Sequence, residues 1–339
     1  MNRVALEVEN LSVEFPSPGA RGLFQPPATF RALSDISLSV ATGEVLGLIG
    51  ESGSGKTTLG KAIVGLVQTS QGQIQVDGTA LDIQKDRDRH ELARRVQMVF
   101  QDPFSSLHPR KTVGHTLAEP FRIQKTAGRN DQTTKVNALL ERVGLSPTHA
   151  ARYPQHFSGG QRQRIAIARA IANQPSVLVA DEPVSALDVS VQAQILNLLD
   201  DLKSQENMAM LFISHDLSVV RHLCQRIAVM YLGRIVEIGP AKELAANPAH
   251  PYTAALMSAV PRVKARNKAR SKPIVLQGDV PSHAAIPSGC PFHTRCWLYE
   301  KKGCPARCRT EVPSLDKVDS ARQSACFYST EVESPDNGA

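Results

Sequence analysis

The sequence predicts an α/β fold, a mostly parallel sheet that carries a phosphate-binding loop and a helical subdomain. An almost wholly apolar run, EVLGLIG at 44–50, leads straight into GESGSGKTT at 50–58 and then into helix-period sequence. A second apolar run, VLVA at 177–180, ends in Asp181-Glu182-Pro183. Between the two, residues from about 103 to 172 carry apolar side chains at three-to-four spacing, the period of helices. A buried strand followed by a glycine loop and a helix opens nucleotide-binding α/β units.

The elements follow in order. Residues 4–15 (VALEVENLSVEF) alternate apolar and polar, the pattern expected of an edge strand. PSPGARGLFQPPATF at 16–30 is rich in Pro and Gly and reads as a loop. ISLSV and EVLGLIG are strands, KTTLGKAIVGLV a helix, and GQIQVDG a short strand ending in a turn. VGHTLAEPFRI, TTKVNALLERVGL and QRQRIAIARAIA are helical, and VQMVF is a strand before Gln101. After VLVA come the helix VQAQILNLLDDLKSQ, the strand AMLFISH, and the hairpin RIAVMYLGRIVEIG with Gly233 in its turn. Beyond Pro261 the character changes. VKARNKARSK places basic residues at alternate positions from 264 to 272, a solvated linker or an anion-binding strip. From 281 on, Pro, Cys and short polar runs dominate.

Length and charge set bounds. The 339 residues suggest one large domain with an addition, or two domains. A formal net charge of +7 suits an anionic partner such as nucleotide, nucleic acid or an acidic membrane surface, or serves solubility alone. No stretch approaches the roughly 20 apolar residues a membrane-spanning helix needs. The N-terminal residues lack a signal peptide's apolar centre, so a cytosolic chain is expected.

The chemistry concentrates in two places. Gly50-Glu51-Ser52-Gly53-Ser54-Gly55-Lys56-Thr57 fits GxxxxGK[ST]. Its glycines let successive N–H groups point inward at a phosphate, and the helix N-terminus adds its positive end. Lys56 reaches the outer phosphates, Thr57 is placed to ligate Mg²⁺, and Thr58 follows it in the helix start. At the end of VLVA, Asp181 is positioned to hold Mg²⁺ and Glu182 to polarise an attacking water. Gln101, after one strand, is placed for the metal or the water, and His215, after another, for the terminal phosphate. A second glycine-bearing helix start, Ser158-Gly159-Gly160-Gln161, offers hydroxyl and amide groups to a phosphate without a lysine. One nucleotide does not need two cradles. A head-to-tail dimer resolves this, the loop of one copy meeting Ser158–Gln161 of the other across the nucleotide.

The order of GESGSGKT, Gln101, SGGQ, VLVADEP, Ser185-Ala186-Leu187-Asp188 and His215 resembles the ATPase subunits of ABC transporters, over about residues 4–262. Phe157 stands where that family most often has Leu. The resemblance implies a P-loop ATPase core with an antiparallel β subdomain and a helical subdomain at about 102–172. It also implies Asp188 at the dimer seam and an aromatic residue stacked on adenine: Phe15, or Phe24 as the alternative. Partner membrane permeases would feel ATP-driven closure of the dimer. ABC ATPases that act on nucleic acid or ribosomes usually carry two nucleotide domains or coiled-coil inserts, which are not seen in this sequence, so no nucleic-acid partner is expected.

NPAHPYTAAL at 247–256 and SGCPFHTRC at 288–296 are similar to the C-terminal extension of oligopeptide and dipeptide importer ATPases. The resemblance implies a nucleotide-binding domain at 1–262 and a Cys-rich extension at 263–339. It further implies peptide import with two integral permeases and, at one remove, a periplasmic or extracellular solute-binding protein. The second ATPase subunit is expected to be a related chain rather than an identical one. Relatives carry nickel or glutathione, which are the alternative cargoes. The place implied is the cytoplasmic face of the cell (inner) membrane, as a peripheral subunit. Cys290, Cys296, Cys308 and Cys326 map onto the subfamily's cysteines, with Cys304 an alternative to Cys308. Four thiolates suit a [4Fe–4S] cluster or Zn²⁺, and the resemblance favours the cluster.

Overall fold

The computed structural model describes residues 3–17, 29–82, 85–126, 128–259 and 273–332. Phe24 and the basic run at 264–272 lie outside the described residues. In chain order the first strands are β1 (Val4–Pro16), β2 (Thr29–Ala41), β3 (Val45–Ile49), β4 (Gln71–Val76), β5 (Thr79–Leu81) and β6 (Val96–Val99). They are followed by β7 (Val177–Asp181), β8 (Ala209–Ile213), β9 (Arg226–Tyr231), β10 (Arg234–Pro240), β11 (Asp316–Lys317) and β12 (Gln323–Ser324).

The main sheet runs β11-β12-β10-β9-β3-β8-β7-β6. From β9 to β6 its neighbours are parallel, whereas β10, β12 and β11 continue it antiparallel. Its central strands are nearly all apolar because both faces are covered. Every residue of β3, β7 and β8 is buried. Successive residues point to opposite sides. Val45, Ile49, Leu178, Ala180, Met210 and Phe212 join the core on the helical side. Leu46, Leu48, Val177, Val179, Leu211 and Ile213 join the core shared with the smaller sheet. Each fully buried Val, Leu or Ile contributes roughly 1.5–3 kcal/mol of burial free energy.

The smaller sheet is antiparallel, in the order β2-β1-β4-β5. This corrects the edge-strand expectation for residues 4–15. β1 pairs with β2 on one side and β4 on the other, and its alternation reflects one buried face rather than one free edge. Helices Val113–Ile123, Arg129–Arg142 and Gly159–Ile171 lie in sequence between β6 and β7. The helix after the phosphate loop stops at Ile63, earlier than its period suggested.

The described residues from 273 to 332 are not a detached tail. β12 pairs with β10, and Phe292, only 1% exposed, packs edge-on to Tyr231 with ring centres 5.2 Å apart.

Candidate nucleotide site

Parallel strands deliver their C-terminal ends to one rim, where ligands bind in α/β sheets. The register aligns Leu48 with Ile213, Asp181 with Ile213, and Val99 with Ala180. The segments that follow therefore gather at one end: the loop from Gly50, Gln101, Glu182 and His215. They border a cavity of about 530 Å³ lined by Phe15, Ser52, Gly53, Gly55, Lys56, Thr57, Thr58, Gln101, Glu182 and His215. Phe30, Ala32 and His283 complete its walls.

The loop's shape depends on glycine. Gly50 has φ +154°, and a Cβ there would lie 2.2 Å from the Met230 carbonyl oxygen. Gly55, at φ +104°, caps helix Lys56–Ile63. Lys56 is 7% exposed, and its Nζ donates to the Gly50 and Glu51 carbonyls, both at 2.8 Å, and to Ser54 Oγ at 3.3 Å. Desolvation by burial pulls its pKa below the ordinary lysine value, against the opposing pull of Glu182, Asp181 and Glu51. Asp181 is 2% exposed and accepts a hydrogen bond from Thr57 Oγ1 at 3.2 Å. Burial raises its pKa, and the Thr57 hydrogen bond works the other way. A buried cation bonded to backbone carbonyls, beside a buried carboxylate bonded to a hydroxyl, is a donor set that fits a phosphate chain with its divalent cation.

Glu182 joins the two strand ends. Its N–H donates to the Ile213 carbonyl at 2.9 Å, and its φ is +46°, a backbone region that costs a non-glycine residue about 1–3 kcal/mol. Gln101 Nε2 donates to Glu182 Oε2 at 2.9 Å, and His215 Nδ1 lies 3.1 Å from Glu182 Oε1. The carboxylate is thereby fixed at the cavity wall by two side chains from different strands.

The second glycine-bearing segment lies elsewhere. Ser158 caps helix Gly159–Ile171: its Oγ accepts the Gln161 N–H at 3.3 Å, and Gln161 Oε1 accepts the Ser158 N–H at 3.1 Å. Ser158, Gly159, Gly160 and Gln161 do not line the cavity, and neither does Asp188, which stands just before helix Val189–Glu206 without a side-chain capping bond. Gly160 abuts that helix, since a Cβ would sit 2.4 Å from Val191 Cγ1.

A family profile described as ABC transporter matches residues 33–185. A second, described as oligopeptide/dipeptide transporter, C-terminal region, matches residues 236–304. The oligopeptide transport ATP-binding protein AppF of Bacillus subtilis is 44% identical, with 95% of this chain and 96% of that protein aligned. The di/tripeptide transport ATP-binding protein DppF of Pseudomonas aeruginosa is 47% identical over 91% of this chain and 93% of its own length. The chain belongs to the ATP-binding subunits of oligopeptide/dipeptide ABC transporters. Among solved structures, the dimeric ATP-binding cassette MJ0796 in a post-hydrolysis state with ADP and Pi superposes with TM-score 0.61 at 26% identity. That match covers 70% of this chain and 98% of the other. As a member of this family the subunit is an ATPase coupled to transport and works with membrane permeases. Among the described residues no helix is long and apolar enough to cross a membrane.

The His250-Pro251-Tyr252 run shared with the subfamily is a buried joint. Glu237 Oε1 and Oε2 accept the Ala249 and His250 N–H groups at 2.8 and 2.9 Å. His250 Nδ1 accepts the Tyr252 N–H at 3.1 Å, and Tyr252 Oη accepts the Glu51 N–H at 2.8 Å. The joint thus reaches the phosphate loop itself. Burial pushes Glu237 up to about 7 and pulls His250 down to about 3.

The expected metal cage is not formed in this structure. Cys290, Cys296, Cys308 and Cys326 do line one cavity, of about 20 Å³, whereas Cys304 is exposed and outside it. Yet no group of three or more His, Cys, Asp or Glu among the described residues is arranged to hold a metal ion. Burial pushes Cys290 and Cys326 up to about 12 and Cys296 to about 11. Cys290 and Cys296 pack against the main apolar core, and Phe292 and Leu298 line the same cavity. Sequence reasoning also missed Phe30 and His283. Phe30, read as the end of the loop at 16–30, lies in β2 directly opposite Phe15, and His283 sits in a segment without periodicity.

Proposed function

We propose that this subunit hydrolyses ATP to drive import of di- and oligopeptides, each nucleotide being held between two ATPase subunits facing head to tail. The observation that carries the reading is the split between the two phosphate-binding segments. Ser52, Gly53 and the residues from Gly55 to Thr58 line the cavity, whereas Ser158, Gly159, Gly160 and Gln161, at a capped helix start of their own, are not among its lining residues. In this reading Gly50, Ser52, Gly53, Ser54, Gly55, Lys56, Thr57 and Thr58 hold the phosphates and Phe15 stacks on adenine. Ser158, Gly159, Gly160, Gln161 and Asp188 serve the site of the opposing subunit. Thr57, Asp181 and Gln101 would hold Mg²⁺, which supplies charge neutralisation at the outer phosphates. Glu182 accepts the proton of the attacking water, held in place by Gln101 and His215. His215 contacts the terminal phosphate.

The two nucleotide-binding subunits are expected to be related rather than identical chains, seated with two permeases on the cytoplasmic face of the membrane. The nucleotide-binding domain is expected to end near 262, and the described residues from 273 on pack against it. We also propose that Cys290, Cys296, Cys308 and Cys326 close around a [4Fe–4S] cluster, or zinc, once deprotonated. Its support is the donor set on one cavity.

Ser158→Arg tests the split. The isolated chain is expected to bind ATP with unchanged affinity, while the assembled transporter loses peptide-stimulated hydrolysis and uptake of labelled dipeptide by at least about tenfold. Full uptake in that variant would end the shared-site reading. Iron, sulfide and zinc contents of the same protein prepared without oxygen decide the metal: all three near zero would remove it.

A further inference from the structure

The C-terminal segment reaches into the nucleotide cavity. His283 Nε2 lies 2.7 Å from the Gly53 carbonyl oxygen in the phosphate loop, a contact that bridges 230 residues of sequence. Donation to a carbonyl requires the proton on Nε2, so Nδ1 carries the lone pair. Nδ1 is buried and has no hydrogen-bond partner. The imidazole stands 6.5 Å from the Phe30 ring, tilted by 47°, and Phe30 stands 6.0 Å from Phe15. The three rings line one cavity together.

A second tether keeps this segment on the loop. Arg295 Nη1 and Nη2 bind the Glu51 carboxylate in a fork, at 2.7 and 3.2 Å, and the arginine side chain is 7% exposed. Arg295 Nε also donates to the Gly278 carbonyl at 3.2 Å, on the strip leading to His283. A buried two-point guanidinium–carboxylate pair fixes orientation as well as distance.

We propose that the C-terminal segment completes the nucleotide site in cis, with His283 as a base-contacting residue presented beside Phe30 by the Gly53 and Arg295–Glu51 tethers. The inference rests on the reading of this cavity as the ATP site. A planar ring beside two phenylalanines suits a purine face.

Binding of Mg-ATP and of inorganic tripolyphosphate to the full chain, measured by calorimetry, separates base from phosphate recognition. His283→Ala is expected to weaken ATP about tenfold and to leave tripolyphosphate within about twofold, and His283→Phe to recover most of the ATP loss. Retained tripolyphosphate binding also shows that the variant loop is folded. Unchanged ATP affinity in His283→Ala overturns the proposal. Equal weakening of both ligands overturns it as well, because His283 would then only brace the Gly53 carbonyl. Lys56→Ala is the control on the underlying reading and should abolish binding of both ligands. If it does not, the site assignment fails, whatever His283 does.

Discussion

The catalytic end of the sheet and the joint beneath the C-terminal segment are both rich in polar side chains, but they are built by opposite rules. At the catalytic end, Gln101 and His215 are exposed, and their bonds to Glu182 face an open cavity. Water competes with such bonds, so each is worth little and is readily exchanged for a ligand. At the joint, Glu237, His250 and Tyr252 are at most 1% exposed, and their polar atoms close on backbone groups. Breaking one of those bonds strands a buried partner, which costs about 1–3 kcal/mol. On the proposed function, chemistry falls to the first region and shape to the second, and variants should divide accordingly.

The largest effect belongs to Glu182. Glu182→Gln keeps the hydrogen-bonding shape but cannot accept the water's proton. Turnover in the assembled transporter should fall by about 10²–10⁴, with ATP still bound and the thermal midpoint moved little. A variant with normal turnover would place the base elsewhere and erase the contrast.

The joint should answer in stability rather than turnover, and its pH dependence is specific. Glu237 sits at about 7 in the folded chain against an ordinary 4.5, so between those values folding takes up a proton and stability falls as pH rises. His250 sits at about 3 against an ordinary 6.5, so between those values unfolding takes up a proton and stability rises with pH. From about 4.5 to 6.5 the two slopes oppose each other and cancel. Thr253, the Ala249 and His250 N–H groups and the charge of Arg322 all favour ionised Glu237, but burial outweighs them. Glu237→Gln removes one slope and exposes the other. Relative to the parent chain, its stability should climb with pH across that window by on the order of 1 kcal/mol per unit. Parallel curves for the two proteins would show that Glu237 stays ionised in the fold.

The contrast also explains what the amino-acid sequence reveals. EVLGLIG and VLVADEP are legible because a strand covered on both faces must be apolar throughout, and whatever follows it must be a loop at the rim. Lys56, Thr57, Asp181 and Glu182 are therefore readable from spacing alone. β1 departs from the edge-strand expectation because alternation reports one buried face, and a strand paired on both sides has that pattern too. The joint and the His283 contact leave no periodic trace. Glu51 meets Arg295 across 244 residues, and nothing local to either shows the pairing. His250-Pro251-Tyr252 is legible as a pattern, but its role in fixing the Glu51 N–H emerges only from packing.

The smallest effect is expected at Phe15, and it probes how the open region distributes its binding. Phe15 and Phe30 face each other across β1 and β2 and present neighbouring rings to one cavity, both half-buried. One ring's contact with a base is worth about 1–3 kcal/mol when nothing replaces it. Here a neighbouring ring remains, so Phe15→Ala should raise the KM for ATP only about threefold, somewhat less than the low end of that range. Phe15→Ala combined with Phe30→Ala should exceed the product of the single effects, because the second removal leaves only the smaller His283 imidazole for the base to shift onto. Strict multiplicativity of the two would mean that each ring contacts the nucleotide independently. A full loss from Phe30→Ala beside an inert Phe15→Ala would move the adenine onto Phe30 alone.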